Sequence, residues 1–258
     1  NCIPAPLLSN GTVSCFGSAD GILTLSASNG VSPYQYNWSN GVQTGSGTVA
    51  NSGASVQLQN LSAGTYTVTI TGANGLSSTV STIVGSPAVL TAQATAQLQF
   101  GQQALSCFGA SDAAIQGSTT GGTGPFQYDW SIAGQNSPVL SGIGAGIYQL
   151  TVTDAHLCTA ISSATIVDPP EMLLDVVLAG VRCGESNAIA QITPTNGVQP
   201  FSVSVDGAPA GGDLTPSLPV GTHLIEVSDT YGCTADTMLN VLLADVPTIS
   251  LPAEVNVS

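Results

Sequence analysis

Apolar and polar residues alternate along this chain in short runs, without the three-to-four spacing of an amphipathic helix. Ile22-Leu23-Thr24-Leu25-Ser26-Ala27 and Tyr34-Gln35-Tyr36-Asn37-Trp38 are early instances, and Tyr66-Thr67-Val68-Thr69-Ile70 is the most regular. A period of two sets Tyr34, Tyr36 and Trp38 on one face of a strand. It does the same for Tyr66, Val68 and Ile70. A further strand is expected near Thr12–Cys15, and a variable stretch runs on to Ser55–Leu61. Gly17-Ser18-Ala19-Asp20-Gly21, Asn29-Gly30 and Asn40-Gly41 separate the runs, and these are turn-forming residues. The pattern predicts an all-β chain of short strands and tight turns.

The pattern recurs. Val13-Ser14-Cys15-Phe16-Gly17 returns as Leu105-Ser106-Cys107-Phe108-Gly109 and as Val181-Arg182-Cys183-Gly184. Pro33-Tyr34-Gln35-Tyr36-Asn37-Trp38 returns as Pro125-Phe126-Gln127-Tyr128-Asp129-Trp130 and, shortened, as Pro200-Phe201. Gly64-Thr65-Tyr66 returns as Gly146-Ile147-Tyr148 and Gly221-Thr222-His223. A repeat of this size makes each unit a module. The expected domains are residues 1–88, 89–170 and 171–247, three tandem immunoglobulin-like β-sandwiches in an elongated array. The segment 248–258 reads as a strand opening a further module or donated to a neighbour. Pro169-Pro170 is a stiff junction, so the array is expected to be semi-rigid. Recurrence inside strands marks Trp38, Trp130, Tyr66 and Tyr148 as structural core. The Gly-x-Tyr before a late strand points to a tyrosine corner, with His223 in its place in repeat three.

Five of the six cysteines follow the same register. Cys107 and Cys158 occupy the places in repeat two that Cys183 and Cys233 occupy in repeat three. Repeat one has Leu76 at the second place, so Cys15 lacks that partner and Cys2 is left over. The expected disulfides are therefore Cys107–Cys158, Cys183–Cys233 and Cys2–Cys15, with buried free thiols as the alternative. Zinc ligation needs closely spaced Cys/His pairs, and the sequence has none.

Charge narrows the partners. The chain has one basic residue, Arg182, against 15 acidic ones, and a formal net charge of −14. Nucleic acid is excluded as a partner, since binding needs cations to neutralise phosphate. Anionic lipid is disfavoured for the same reason. No run of about 18 apolar residues exists to insert in a membrane. Catalytic groupings are lacking too. His156 and His223 fall at unrelated places, no Gly-x-Ser-x-Gly elbow is present, and Glu171, Glu185, Glu226 and Glu254 show no paired pattern. No cofactor is expected apart from calcium. Turn residues Asp20, Asp112, Asp154, Asp206 and Asp229 carry suitable oxygens, but without an Asp-x-Asp-x-Asp-Gly run they read as Asx turns. Asn10, Asn37 and Asn60 open N-glycosylation triplets of the kind that arise by chance in a Ser/Thr-rich chain.

The cysteine, proline-aromatic, Gly-x-Tyr and Gly-Cys-Thr-Ala motifs together resemble the SprB repeat of large secreted surface proteins of gliding Bacteroidetes. Repeat two matches best, through Cys107, Gly109, Pro125, Tyr128, Trp130, Gly146, Tyr148, Asp154 and Cys158. Repeat one departs at Gly72 and Leu76, repeat three at Val205 and His223. The resemblance implies an extracellular, non-enzymatic surface adhesin or stalk, exported by the type IX route. Its partners would be neighbouring modules, further copies, surface glycans or other cell-surface proteins. Asp236-Thr237-Met238 resembles the O-glycosylation sequon of Bacteroidetes, which marks Thr237. The alternatives are a self-assembling filament linked through its terminal strands, and accessory carbohydrate-binding modules.

Overall fold

A computed structural model describes residues 2–179 and 186–242. Every regular element among them is a strand. Repeat one supplies β1 (Ala5–Leu8), β2 (Gly11–Thr12), β3 (Gly21–Ser28), β4 (Tyr34–Ser39), β5 (Thr44–Val49), β6 (Ser55–Leu61), β7 (Gly64–Thr71) and β8 (Ser77–Gly85). Repeat two supplies β9 (Thr91–Ala96), β10 (Ala113–Thr120), β11 (Gln127–Trp130), β12 (Val139–Ile143), β13 (Gly146–Thr153) and β14 (Thr159–Ile166). Repeat three supplies β15 (Leu173–Ala179), β16 (Asn187–Thr195), β17 (Ser202–Val205), β18 (Ala208–Gly211), β19 (Ser217–Pro219), β20 (Gly221–Ser228) and β21 (Thr234–Val241).

In repeat one the strands form two sheets, β1-β3-β6 and β2-β8-β7-β4-β5. Their inner faces carry the alternating apolar positions read from the sequence: Leu23, Leu25 and Ala27 from β3, Tyr34 and Tyr36 from β4, Tyr66, Val68 and Ile70 from β7. Burial of this set is what selects the register, because a slip of one residue would turn it outward. The glycines of β5 let the large rings lie flat on the neighbouring strand. A Cβ on Gly45 would come within 2.5 Å of the Trp38 ring, and one on Gly47 within 2.4 Å of the Tyr36 hydroxyl. The outer face of the larger sheet is polar, with cross-strand pairs Thr67–Ser81, Thr69–Thr79 and Thr71–Ser77 at 2.8–3.0 Å.

Repeat three has the corresponding pair of sheets, β15-β16-β19 and β18-β17-β20-β21. Its core holds Ala188, Ala190, Ile192, Val203, Leu218, Ile225, Val227 and Val241. Repeat two has sheets β12-β10-β9 and β11-β13-β14. The recurring prolines Pro33, Pro125 and Pro200 all follow cis peptide bonds. By internal contacts the chain divides into two units. One comprises Asn1–Thr95, Gln116–Leu140 and Tyr148–Ala164; the other comprises Ala96–Ile115, Ser141–Ile147 and Thr165–Ser258.

The strand expected at Thr12–Cys15 is shorter and earlier. β2 ends at Thr12, pairs in parallel with the end of β8, and releases the chain into a turn that carries Cys15. Val13 N–H still bonds the Gly85 carbonyl at 3.0 Å, so the turn leaves from the end of β8.

Candidate functional site: the disulfide-bonded loops

Two loop types carry the described cystines, and each is built by an aspartate. The early turn is Ser14–Asp20. Asp20 reaches back six residues, accepting the Ser14 N–H at 3.0 Å through Oδ1 and the Ser14 hydroxyl through Oδ2. Those bonds, first from the hydroxyl and then from the backbone, with His156 charge adding a little, hold the Asp20 carboxyl below its ordinary range. The turn closes with Ser18 N–H on the Cys15 carbonyl. Repeat two rebuilds it with Asp112 accepting Ser106 N–H at 3.2 Å and Ala110 N–H on the Cys107 carbonyl. Both turns expose a phenylalanine beside the cysteine, Phe16 at 62% and Phe108 at 55%.

The late loop is Asp154–Cys158. Asp154 is nearly buried and accepts three backbone N–H groups: His156 at 2.8 Å, Cys158 at 2.9 Å and Thr123 at 3.0 Å. Burial pushes its carboxyl up, but the three donors outweigh burial and hold it below its usual range. Repeat three copies the loop. Asp229 accepts Tyr231, Cys233 and Val198 N–H groups at 2.8–3.0 Å. The residue four before the cysteine is thus its positioning group.

Cys15 is bonded to Cys158, and Cys107 to Cys233, with Cα–Cα distances of 5.8 and 5.4 Å. Each bond joins the early turn of one repeat to the late loop of the next, and each lies within one of the two units. This overturns the expected pairings Cys107–Cys158, Cys183–Cys233 and Cys2–Cys15. Cys2 is an exposed free thiol. Cys183 lies outside the described residues. The physical reason is visible in repeat one. Its early turn leaves from the end of β8, whereas Leu76, at the late-cysteine place, immediately precedes the start of β8. Nine residues of strand, about 30 Å, separate the two places. A cystine spans only about 4.4–6.8 Å between Cα atoms. Leu76 was the available signal: with cross-repeat pairing, Cys15 is not short of a partner.

Repeat one keeps the late loop without its cysteine. Gly72 N–H bonds the Leu76 carbonyl at 3.0 Å, as Asp154 N–H bonds the Cys158 carbonyl. Gly72 replaces the aspartate because the space is already taken. A Cβ there would meet Asn74 Oδ1 at 2.9 Å and Pro4 at 3.3 Å. Asn74 also donates to the Cys2 carbonyl at 3.2 Å.

The remaining expected residues have structural places. Tyr66 is fully buried and Trp130 nearly so, while Trp38 and Tyr148 are half-buried. Trp38 packs at 5.6 Å on Tyr66. The tyrosine corner is present in repeat one, with the Tyr66 hydroxyl 3.0 Å from the Ser62 carbonyl and 2.6 Å from Gln43 Oε1. His223 makes the corresponding contact, Nε2 to the Pro219 carbonyl at 2.9 Å, and its Nδ1 is 2.7 Å from Asp206 Oδ2. Both partners are acceptors, so both ring nitrogens donate only when the imidazole is protonated. The Asp206 bond, then the Pro219 carbonyl, raise the His223 pKa, and Asp206 is lowered in turn. Thr237 is half-buried and faces across the strand pair from Ile225, between exposed Asp236 and Met238. His156 is exposed, and its backbone serves the Asp154 loop. No group of three or more His, Cys, Asp or Glu side chains placed to hold a metal ion occurs among the described residues. No helix among them is long and apolar enough to cross a membrane.

A search of curated proteins finds no match. Among solved structures, the C-terminal 282-residue fragment of intimin, in complex with the intimin-binding domain of its translocated receptor, aligns at 13% identity and a TM-score of 0.37. It covers 68% of this chain and 66% of that fragment. The fibronectin(III)-like modules of Clostridium thermocellum CbhA align at 11% identity and a TM-score of 0.24, covering 63% and 93%. The Dpr2 and DIP-Theta immunoglobulin domains align at 10% and 0.33, covering 93% and 99%. These values carry no functional argument. The family model of the SprB repeat matches residues 13–43 and 102–134, each stretch containing one early turn and the cis-proline strand after it, so this chain carries SprB repeats at those two places.

Proposed function

We propose that this chain is a tension-carrying part of an extracellular, non-enzymatic adhesin or stalk on a bacterial surface of the Bacteroidetes type. The observation that carries the reading is the cross-repeat cystine, made twice with the same loop chemistry. Such bonds persist in oxidising compartments and tie a repeat to its neighbour. The matched repeats and a chain with a single basic residue support the same setting, since few sites for trypsin-like cleavage remain. Partners are then other modules of the same array, further copies, or surface proteins and glycans.

The test uses antibodies to the purified chain on intact, unpermeabilised cells of the producing bacterium. Surface labelling, and loss of attachment on antibody blocking, are expected. Label that appears only after lysis overturns the surface reading, and unchanged attachment overturns the adhesive one. A carbohydrate-binding role is favoured by one feature, a shallow groove in repeat one whose walls include the uncharged side chains Asn37, Ser39, Thr44, Ser46, Thr67 and Thr69. A glycan array probed with this chain and with Asn37→Ala separates that role from simple spacing.

A further inference from the structure

The loops closed by Cys15–Cys158 and by Cys107–Cys233 overlap. That overlap creates four covalent routes from Cys15 to Cys233. The backbone route is 218 residues long (233 less 15). Crossing only the first bridge leaves 75 residues (233 less 158). Crossing only the second leaves 92 (107 less 15). Crossing both leaves 51 (158 less 107), traversed backward from Cys158 to Cys107. Under tension the shortest route tightens first and the others stay slack.

We infer that the crossed cystines make the chain a length-limited tether, in which tension passing from Cys15 to Cys233 runs through repeat two alone. Repeat one from β3 to β8 lies wholly on the slack 15–107 segment. Repeat three from β15 to β20 lies wholly on the slack 158–233 segment. Only β10 to β13 lie between the loaded cysteines. Load enters repeat two at the loop that Asp154 holds through three backbone bonds, and leaves through the turn that Asp112 caps. At about 3.4 Å per residue the bonded segment extends to about 170 Å and the reduced one to about 740 Å, roughly a fourfold difference. The inference takes from the proposed function only that the chain bears load. Its readout involves neither location nor adhesion.

The test is single-molecule force spectroscopy on the full chain held by its two ends, with free thiols blocked, before and after reductant. The oxidised chain should show no unfolding step as long as repeat one and should end at about a third of the reduced contour length. Cys15→Ser should lengthen the oxidised contour by 41 residues (92 less 51) and Cys233→Ser by 24 (75 less 51). Final contour reads covalent connectivity whether or not a variant folds well. A repeat-one step in the oxidised chain, an unchanged contour on reduction, or equal lengthening by the two variants would overturn the inference.

Discussion

His223 stands where repeat one has Tyr66, and the exchange turns a neutral corner into a titrating one. Its pKa is raised in the folded chain, above the roughly 6.5 of an unfolded histidine. The stabilisation is therefore complete below that value and is lost as pH rises through the folded pKa. Thermal midpoints of the parent between pH 5 and 9 should fall on the alkaline side of this window, and His223→Gln should flatten that fall. A parallel pair of curves would contradict the assignment. In repeat one the hydroxyl is the critical atom. Tyr66→Phe keeps the buried ring but strips a partner from Gln43 and Asn40, at a cost of about 1–2 kcal/mol in urea denaturation. The corner was legible from Gly-x-Tyr alone. Asp206 as the partner of His223 was not, because it sits in the β17–β18 turn, 17 residues away.

Most strands were legible because one face of each is buried: Tyr34, Tyr36, Tyr66, Val68 and Ile70 declare their side by alternation. Loops were harder, because their order comes from single aspartates rather than from a period. Asp20 and Asp154 looked like turn residues, and the structure shows each serving backbone N–H groups around a cysteine. Asp154→Asn should lower stability at pH 7 by weakening bonds to an acceptor that is charged in the parent. Because the Asp154 pKa is depressed, its contribution is present above the unfolded value of about 4 and is lost as pH falls through the folded one. The variant should accordingly show a shallower acid-side loss than the parent in denaturant midpoints. Sulfur pairing was misread because equal spacing within two repeats is equally compatible with pairing between neighbours. Peptide mapping by pepsin without reductant should recover Cys15 with Cys158 and Cys107 with Cys233, and an alkylating reagent should mark Cys2. Recovery of Cys107 with Cys158 would restore the within-repeat scheme.

Across the whole molecule the cystines close loops of 143 and 126 residues. Each removes chain entropy from the unfolded state worth about 5 kcal/mol on the loop-closure model, and the overlap makes the two contributions non-additive. Reduction should lower the denaturant midpoint markedly, and restoring one bond alone should recover more than half of the loss. Repeat one shows that the receiving loop does not depend on sulfur for its shape. With Gly72, Asn74 and Leu76 it adopts the same backbone closure that surrounds Cys158 and Cys233. Folding can thus precede oxidation, with two finished surfaces meeting before any electron leaves. A bond then forms only where successive repeats have docked in the correct order, so oxidation inspects assembly and seals what has passed.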